Sequence, residues 1–206
     1  MTVAVSAALS MEFHTFCKNM GRVEKLPLDM WHHFVWLNHE NRIILLETGI
    51  GPQRASGAFQ SLIKAYQVDC IINFGSSGMI NECLNVGDAL LVQEIIDASS
   101  GAVLKADPEL TESIASFLEM SSRPYFRGRL LTSPEPIAKR SHRQQLAEQF
   151  HVDAVDMEAF AIAKIAKERG IPFAALKMIS DRATALTRLE YWKNIPKVDK
   201  LLGKLM

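Results

Sequence analysis

Along the whole chain, short apolar runs rich in β-branched residues alternate with longer segments of helical period. A chain patterned that way buries both kinds of element by laying helices on the faces of a central, largely parallel sheet. Strands are expected at residues 2–9, 70–74, 89–96, 128–132 and 172–179, and a hairpin joins 35–37 to 42–47 across His39-Glu40-Asn41. Helices are expected at 10–19, with Ser10 as N-cap, and at 53–66, 108–120, 138–150, 157–169 and 198–205. The helix over 53–66 sets Ala55, Ala58, Phe59, Leu62 and Ile63 on one face. That over 157–169 has a small-residue face of Ala161, Ile162, Ile165 and Ala166, and stops at Gly170. The fold class that follows is α/β, a three-layer α/β/α sandwich on a mixed, mostly parallel sheet.

Composition removes several alternatives. The 206 residues are 48% hydrophobic, enough for a large core, and no linker, repeat or low-complexity tract divides them, so one domain over 1–206 is expected. Lys and Arg number 23 and so do Asp and Glu, which disfavours a surface built to track phosphate backbones; no nucleic-acid partner is expected. Cys17, Cys70 and Cys83 are odd in number and form no C-x-x-C pair, as in reduced thiols of a cytoplasmic protein. No basic region opens a leader, and no apolar run reaches the length of a membrane span. The histidines lack metal-ligand spacing, so neither metal nor cofactor is expected. The run Lys139-Arg140-Ser141-His142-Arg143 reads as a solvated helix face.

In folds of this class ligands collect at the carboxyl ends of strands. Three such ends are rich in glycine, serine or carboxylate: Glu47-Thr48-Gly49-Ile50-Gly51, Asn73-Phe74-Gly75-Ser76-Ser77-Gly78 and Ile179-Ser180-Asp181. By themselves these residues admit ordinary readings. Glu12 suits a solvated first-turn carboxylate complementing a helix dipole, Glu158 a cap, Asp181 a turn residue, and Gly75-Ser76-Ser77-Gly78 a tight turn.

Taken in order, however, the motifs resemble one family. Val155-Asp156-Met157-Glu158-Ala159-Phe160-Ala161-Ile162-Ala163, then Ile171-Pro172-Phe173, then Lys177-Met178-Ile179-Ser180-Asp181 look like the signature of the nucleoside phosphorylase and nucleosidase superfamily. A strand running into Ala7-Ala8-Leu9-Ser10-Met11-Glu12, then Gly49-Ile50-Gly51, Gly75-Ser76-Ser77-Gly78 and Val86-Gly87-Asp88 precede them in the family order. Within the superfamily the likeness is to the methylthioadenosine/S-adenosylhomocysteine nucleosidases and the futalosine and adenosylhopane nucleosidases.

The resemblance implies cleavage of an N-ribosidic bond in a 5'-modified purine nucleoside. That chemistry needs an acid at the departing base and an oriented nucleophile at the anomeric carbon. By resemblance Asp181 binds or protonates the base and Glu12 orients and deprotonates a water. Glu158 accepts from ribose hydroxyls beside Met157. Ser76, Ser77, Gly78 and Ser180 complete the substrate-binding set.

A phosphorylase generally places arginines around its phosphate, one of them just before the Gly-Ser turn. Here Ile72-Asn73-Phe74 stands there, and Met11-Glu12 replaces an early arginine-bearing glycine segment, so hydrolysis is the expected chemistry. A phosphate-dependent phosphorylase and a non-catalytic nucleoside-binding protein are the alternatives. The departures from the nucleosidase pattern are Lys177 in place of arginine, Met79 after Gly78, Phe160 in the signature helix, a short segment at 97–107 and a short tail after Asp181. Most lie where the 5' group is read, which leaves futalosine or another bulky 5'-substituted nucleoside open as the substrate in place of methylthioadenosine. The family and the aromatic stretch Trp31-His32-His33-Phe34-Val35-Trp36 together imply a homodimer.

Overall fold

In the computed structural model, which describes residues 1–19, 23–28, 34–38, 42–184 and 187–203, ten strands join in one mixed sheet. They are β1 (Val3–Ala7), β2 (Glu24–Pro27), β3 (Phe34–Asn38), β4 (Ile43–Glu47), β5 (Cys70–Met79), β6 (Ala89–Asp97), β7 (Val103–Lys105), β8 (Phe126–Thr132), β9 (Ala154–Asp156) and β10 (Phe173–Asp181). The helices are α1 (His14–Asn19), α2 (Pro52–Ala65), α3 (Pro108–Met120), α4 (Arg140–Phe150), α5 (Ala159–Arg169) and α6 (Thr187–Gly203), with a 3-10 turn at Ser10–Glu12 before α1.

The sheet combines an open arm with a closed ring. From β5 the arm runs through β1, β4 and β3 to β2, while the ring runs through β10, β6, β8 and β9 back to β5. β5 is therefore shared. Its residues from Cys70 to Asn73 pair in parallel with β1, and Gly78 and Met79 pair antiparallel with β9. Between those two partners one edge of β5 is left open around Gly75 and Ser76, and the candidate site forms at this fork.

Helices cover both faces of the sheet, as the alternation implies. On one face Ala55, Ala58, Phe59 and Leu62 of α2 and Ala159, Ile162, Ala163 and Ala166 of α5 join Ala4, Ile44, Leu46, Ala175 and Ile179 in one core. On the other, Phe16 of α1, Ala115 and Leu118 of α3 and Val198 of α6 pack on Val5, Leu45, Leu176 and Met178. β10 is buried at every position, so its near-continuous apolar sequence is that of a strand covered on both sides. A smaller cluster under α4 joins Ile96, Leu131, Leu146 and Val155.

Several boundaries differ from the sequence expectation. The helix expected over 10–19 divides at Phe13, and Ser10 is not its cap: the Leu9 amide donates instead to Glu12 Oε2 at 3.0 Å. β5 does not stop at Phe74 but runs through the Gly-Ser-Ser-Gly segment. α6 begins at Thr187 rather than 198, and Pro196 lies inside it. β2, β7 and β9 were not anticipated; each has three or four residues, too few to show a period. Arg143 is buried rather than solvated, donating to Glu82 Oε1 at 2.6 Å and to the Arg182 carbonyl at 3.1 Å. β3 and β4 pair antiparallel as the hairpin requires, while the connection at 39–41 and residues 29–33, including Trp31, His32 and His33, lie outside the described residues. Among the described residues no helix is long and apolar enough to cross a membrane.

Candidate active site

A cavity of about 470 Å³ opens at the fork, where the carboxyl ends of β9 and β10 and the upper half of β5 meet α6. Ser76, Ser77, Gly78, Met157, Glu158, Ser180 and Asp181, all singled out from sequence, line it. Asp156, Thr187, Tyr191 and Trp192 line it too. Glu12 is reached through Ser76, and is 1% exposed.

Glu12 fills the open edge of β5. Its Oε1 accepts from the Ser76 amide at 2.9 Å and from the Ser76 hydroxyl at 2.6 Å, so a carboxylate takes the place of a neighbouring strand. Gly75 makes the approach possible: it has φ +137°, and a Cβ there would sit 3.3 Å from Glu12 Oε1. Gly78 serves the other carboxylate in the same way, since its Cβ would lie 3.1 Å from Asp181 Oδ1. The two glycines of the Gly-Ser-Ser-Gly segment thus admit one acid each, a packing role that a turn reading misses.

Asp181 stands at the end of β10, after a bulge between Ile179 and Asp181 that alters the register with β5. Its Oδ1 accepts from the Ala183 amide at 2.9 Å and the Thr187 hydroxyl at 3.0 Å, and its Oδ2 accepts from the Ser180 hydroxyl at 2.8 Å. Burial pushes its carboxyl above the usual carboxylate range, and these three donors pull against that push. Glu158, just before α5, accepts from the Gly51 amide at 2.8 Å. Burial first, and the neighbouring Asp156 charge second, push it up to about 8. The Gly49-Ile50-Gly51 segment after β4 therefore meets the signature segment before α5 at this one bond.

Beneath Glu158 lies a buried ion pair. Lys177 Nζ is 2.9 Å from Asp156 Oδ2, and both side chains are almost wholly enclosed. Asp156 also accepts from the Thr132 hydroxyl at 2.7 Å and the Ala159 amide at 2.9 Å. Lys177 thus keeps the cation expected at its position, committed to a single carboxylate oxygen rather than offered to a ligand. Among the described residues lining the cavity there is no Lys, Arg or His.

Sequence reasoning missed the contribution of α6. Thr187 supports Asp181, Tyr191 lines the cavity, and Trp192, 49% exposed, forms part of the rim. Asn194 donates to the Ser180 carbonyl at 2.9 Å, and Asp199 accepts from Thr15 of α1 at 2.7 and 2.6 Å. The signal was present as Tyr191-Trp192, an aromatic pair on a segment otherwise polar.

The sequence and the fold are matched widely. A 5'-methylthioadenosine/S-adenosylhomocysteine nucleosidase from Staphylococcus epidermidis is 27% identical over 177 residues, spanning 78% of this chain and 77% of that protein. One from Staphylococcus aureus is 22% identical over 92% of this chain and 90% of its own. Among solved structures, a mutant of the futalosine hydrolase of Helicobacter pylori superposes with a TM-score of 0.92 at 16% identity, over 100% of this chain and 96% of that one. An S-adenosylhomocysteine nucleosidase of Streptococcus pyogenes gives 0.90 at 21%, over 100% and 94%. The family model of the phosphorylase superfamily matches residues 2–202, from the start of β1 to the end of α6, and the chain belongs to that superfamily.

Proposed function

We propose that the protein hydrolyses the N-ribosidic bond of a 5'-modified purine nucleoside and releases the free base. The observation that carries this reading is Asp181, an acid whose burial favours its protonated form, in a cavity lined by no cation among the described residues, with Glu12 bonded directly behind the Ser76 lining as an acceptor. A phosphate dianion finds no counter-charge there, whereas a neutral water needs none. The nucleosidases among the relatives agree with the same choice.

The reaction balances on these two carboxyls. The water oxygen bonds to the anomeric carbon while the C–N bond breaks, and its electron pair leaves on the purine. Asp181 gives its proton to a ring nitrogen of the departing base, and Glu12 takes the proton the water sheds. Met157 and Glu158 lie against the sugar, with Glu158 in its protonated form able to donate to one ribose hydroxyl as well as to accept.

The 5' group meets Ile50, Pro136, Ile137 and Trp192, an apolar wall. A neutral substituent such as a thioether is therefore preferred over one carrying a carboxylate, which would also face Glu135 on the same wall. The test is a panel of methylthioadenosine, S-adenosylhomocysteine, futalosine and unmodified purine nucleosides in phosphate-free buffer, with products separated by chromatography. The expected result is base release, fastest from methylthioadenosine. Release that requires added phosphate would overturn hydrolysis, and faster release from futalosine would overturn the 5' preference.

The chain is further proposed to act as one domain and as a cytoplasmic homodimer. The three unpaired cysteines support the compartment, and the single family model over 2–202 supports one domain. Light scattering giving twice the 23.0 kDa chain mass is the expected result for the dimer, and the monomer mass would refute it.

A further inference from the structure

Arg143 of α4 is a buried cation outside the cavity, and nothing in the reaction just described uses it. Its guanidinium is divided between two acceptors, Glu82 Oε1 at 2.6 Å and the Arg182 carbonyl at 3.1 Å. The Glu82 side chain is largely exposed, whereas Arg182 directly follows Asp181. We propose that Arg143 is a positioning residue that acts on Asp181 through a single peptide unit, locking it so that the Ala183 amide points at the acid. The proposal rests on the hydrolase reading of the site and adds a residue to it.

The geometry of that unit makes the connection. The Arg182 carbonyl and the Ala183 amide belong to one planar trans peptide, so they point to opposite sides of it. On one side Arg143 donates to the carbonyl; on the other the amide donates to Asp181 Oδ1 at 2.9 Å. Turning the unit over would set the amide against the guanidinium, donor against donor, so Arg143 opposes that rotation.

Opposition is needed because the backbone itself favours the rotation. Ala183 has φ +47°, in the left-handed region that crowds a Cβ against a carbonyl oxygen and suits glycine. Half a turn of the peptide carries that φ into the extended region, where alanine is unstrained. The side chain of Ala183 is buried in the cluster that includes Ile137 and Leu146, the latter about one turn along α4 from Arg143. Helix α4 therefore holds the segment after Asp181 by a cation on its carbonyl and by the apolar cluster around its Cβ.

The consequence falls on the acid. A carboxyl oxygen has about two acceptor sites. Oδ1 receives the Ala183 amide and the Thr187 hydroxyl and is full; Oδ2 receives the Ser180 hydroxyl and keeps one site. The proton given to the base therefore resides on Oδ2. In the rotated peptide Oδ1 regains a site and the Arg182 carbonyl becomes a rival acceptor for that proton, so the acid loses its single orientation.

The experiment is a double-mutant cycle with Arg143→Met, which keeps an unbranched apolar stem, and Ala183→Gly, read by steady-state kinetics on methylthioadenosine and by denaturant unfolding. Arg143→Met is expected to lower kcat about 10-fold, the population shift that left-handed strain at one residue produces, with KM changed less than about 2-fold. Glycine adopts both backbone regions with similar ease, so adding Ala183→Gly to Arg143→Met should raise kcat again about 5-fold, to roughly half that of Ala183→Gly alone. Unchanged kcat in Arg143→Met, a rise in KM as large as the fall in kcat, or a loss that glycine does not relieve would overturn the lock. A wild-type protein that turns over no nucleoside would instead defeat the hydrolase reading, and the unfolding arm then decides the lock. Ala183→Gly should stabilise the protein that has Arg143 more than it stabilises the Arg143→Met variant, and an equal or reversed effect would refute it. Should Arg143→Met not fold, Arg143→Leu, which also removes the guanidinium, supplies the same comparison.

Discussion

The strand-borne and helix-borne sides of the cavity are built to different tolerances. On the strand side Glu12, Glu158 and Asp181 are each under a tenth exposed, each accepts at least one backbone amide, and two glycines leave room for two of them. On the helix side Tyr191 is half-buried and Trp192 is exposed, and both reach the cavity from an otherwise polar segment. The difference teaches where chemistry and selectivity reside. Groups that exchange protons need fixed, dry surroundings, whereas groups that accept a substituent gain from a surface open to solvent and to change.

The sharpest way to break this contrast is to neutralise the two acids. Glu12→Gln and Asp181→Asn should each lower kcat by about 10²–10⁴-fold while the folded protein persists, as steady-state kinetics and thermal melts will show. Losses as large from Trp192→Ala would erase the distinction between the two sides.

Next in size is the ion pair under the strand side. Lys177→Met leaves the Asp156 charge enclosed without its cation, and denaturant unfolding should show a loss of about 3–5 kcal/mol. A loss below about 1 kcal/mol would mean that Asp156 is already neutral or hydrated.

Glu158 makes a smaller, pH-dependent effect. Its carboxyl is pushed up to about 8 from an ordinary 4.5, so the folded state favours the protonated form. Stability from this group is complete below the ordinary value and is lost as pH rises through about 8. Glu158→Gln, which keeps an acceptor for the Gly51 amide, should therefore be more stable than wild type at pH 9 and equal to it near pH 4 in unfolding titrations. A gain of equal size at both pH values would contradict the burial account.

The smallest effect belongs to the helix side. Trp192→Ala should raise KM for methylthioadenosine about 5-fold, roughly 1 kcal/mol, with kcat held within about 2-fold. A fall in kcat with KM unchanged would place Trp192 at the reacting atoms rather than at the 5' group.

Much of the strand side was legible in sequence because its causes are local. The helix at 108–120 matches Pro108–Met120 to the residue, since Asp107 caps it through the Leu110 amide and Pro108 opens it. Gly170, at φ 65°, ends α5 as expected. The seven cavity-lining positions named from sequence all face one space, because the family motifs sit at strand ends that the sheet brings together.

What escaped has causes that are not local. Gly-Ser-Ser-Gly reads as a turn because the carboxylates that require the glycines come from residues 12 and 181. Glu12 does lie in a first turn, but the solvated reading of it fails because its enclosure is supplied by β5, more than sixty residues on. The early part of α6 was hidden by Pro196 in its interior and by a polar run with little period, so Thr187, Tyr191 and Trp192 were not recognised as part of the site.

The central claim is that water, activated at Glu12, is the nucleophile. Single-turnover cleavage of methylthioadenosine in ¹⁸O-labelled water containing phosphate tests it most directly, with mass analysis of the sugar product. The account predicts free methylthioribose with the label at its anomeric oxygen, formed at the same rate whether or not phosphate is present. A sugar 1-phosphate without the label, formed at a rate that rises with phosphate, would contradict it.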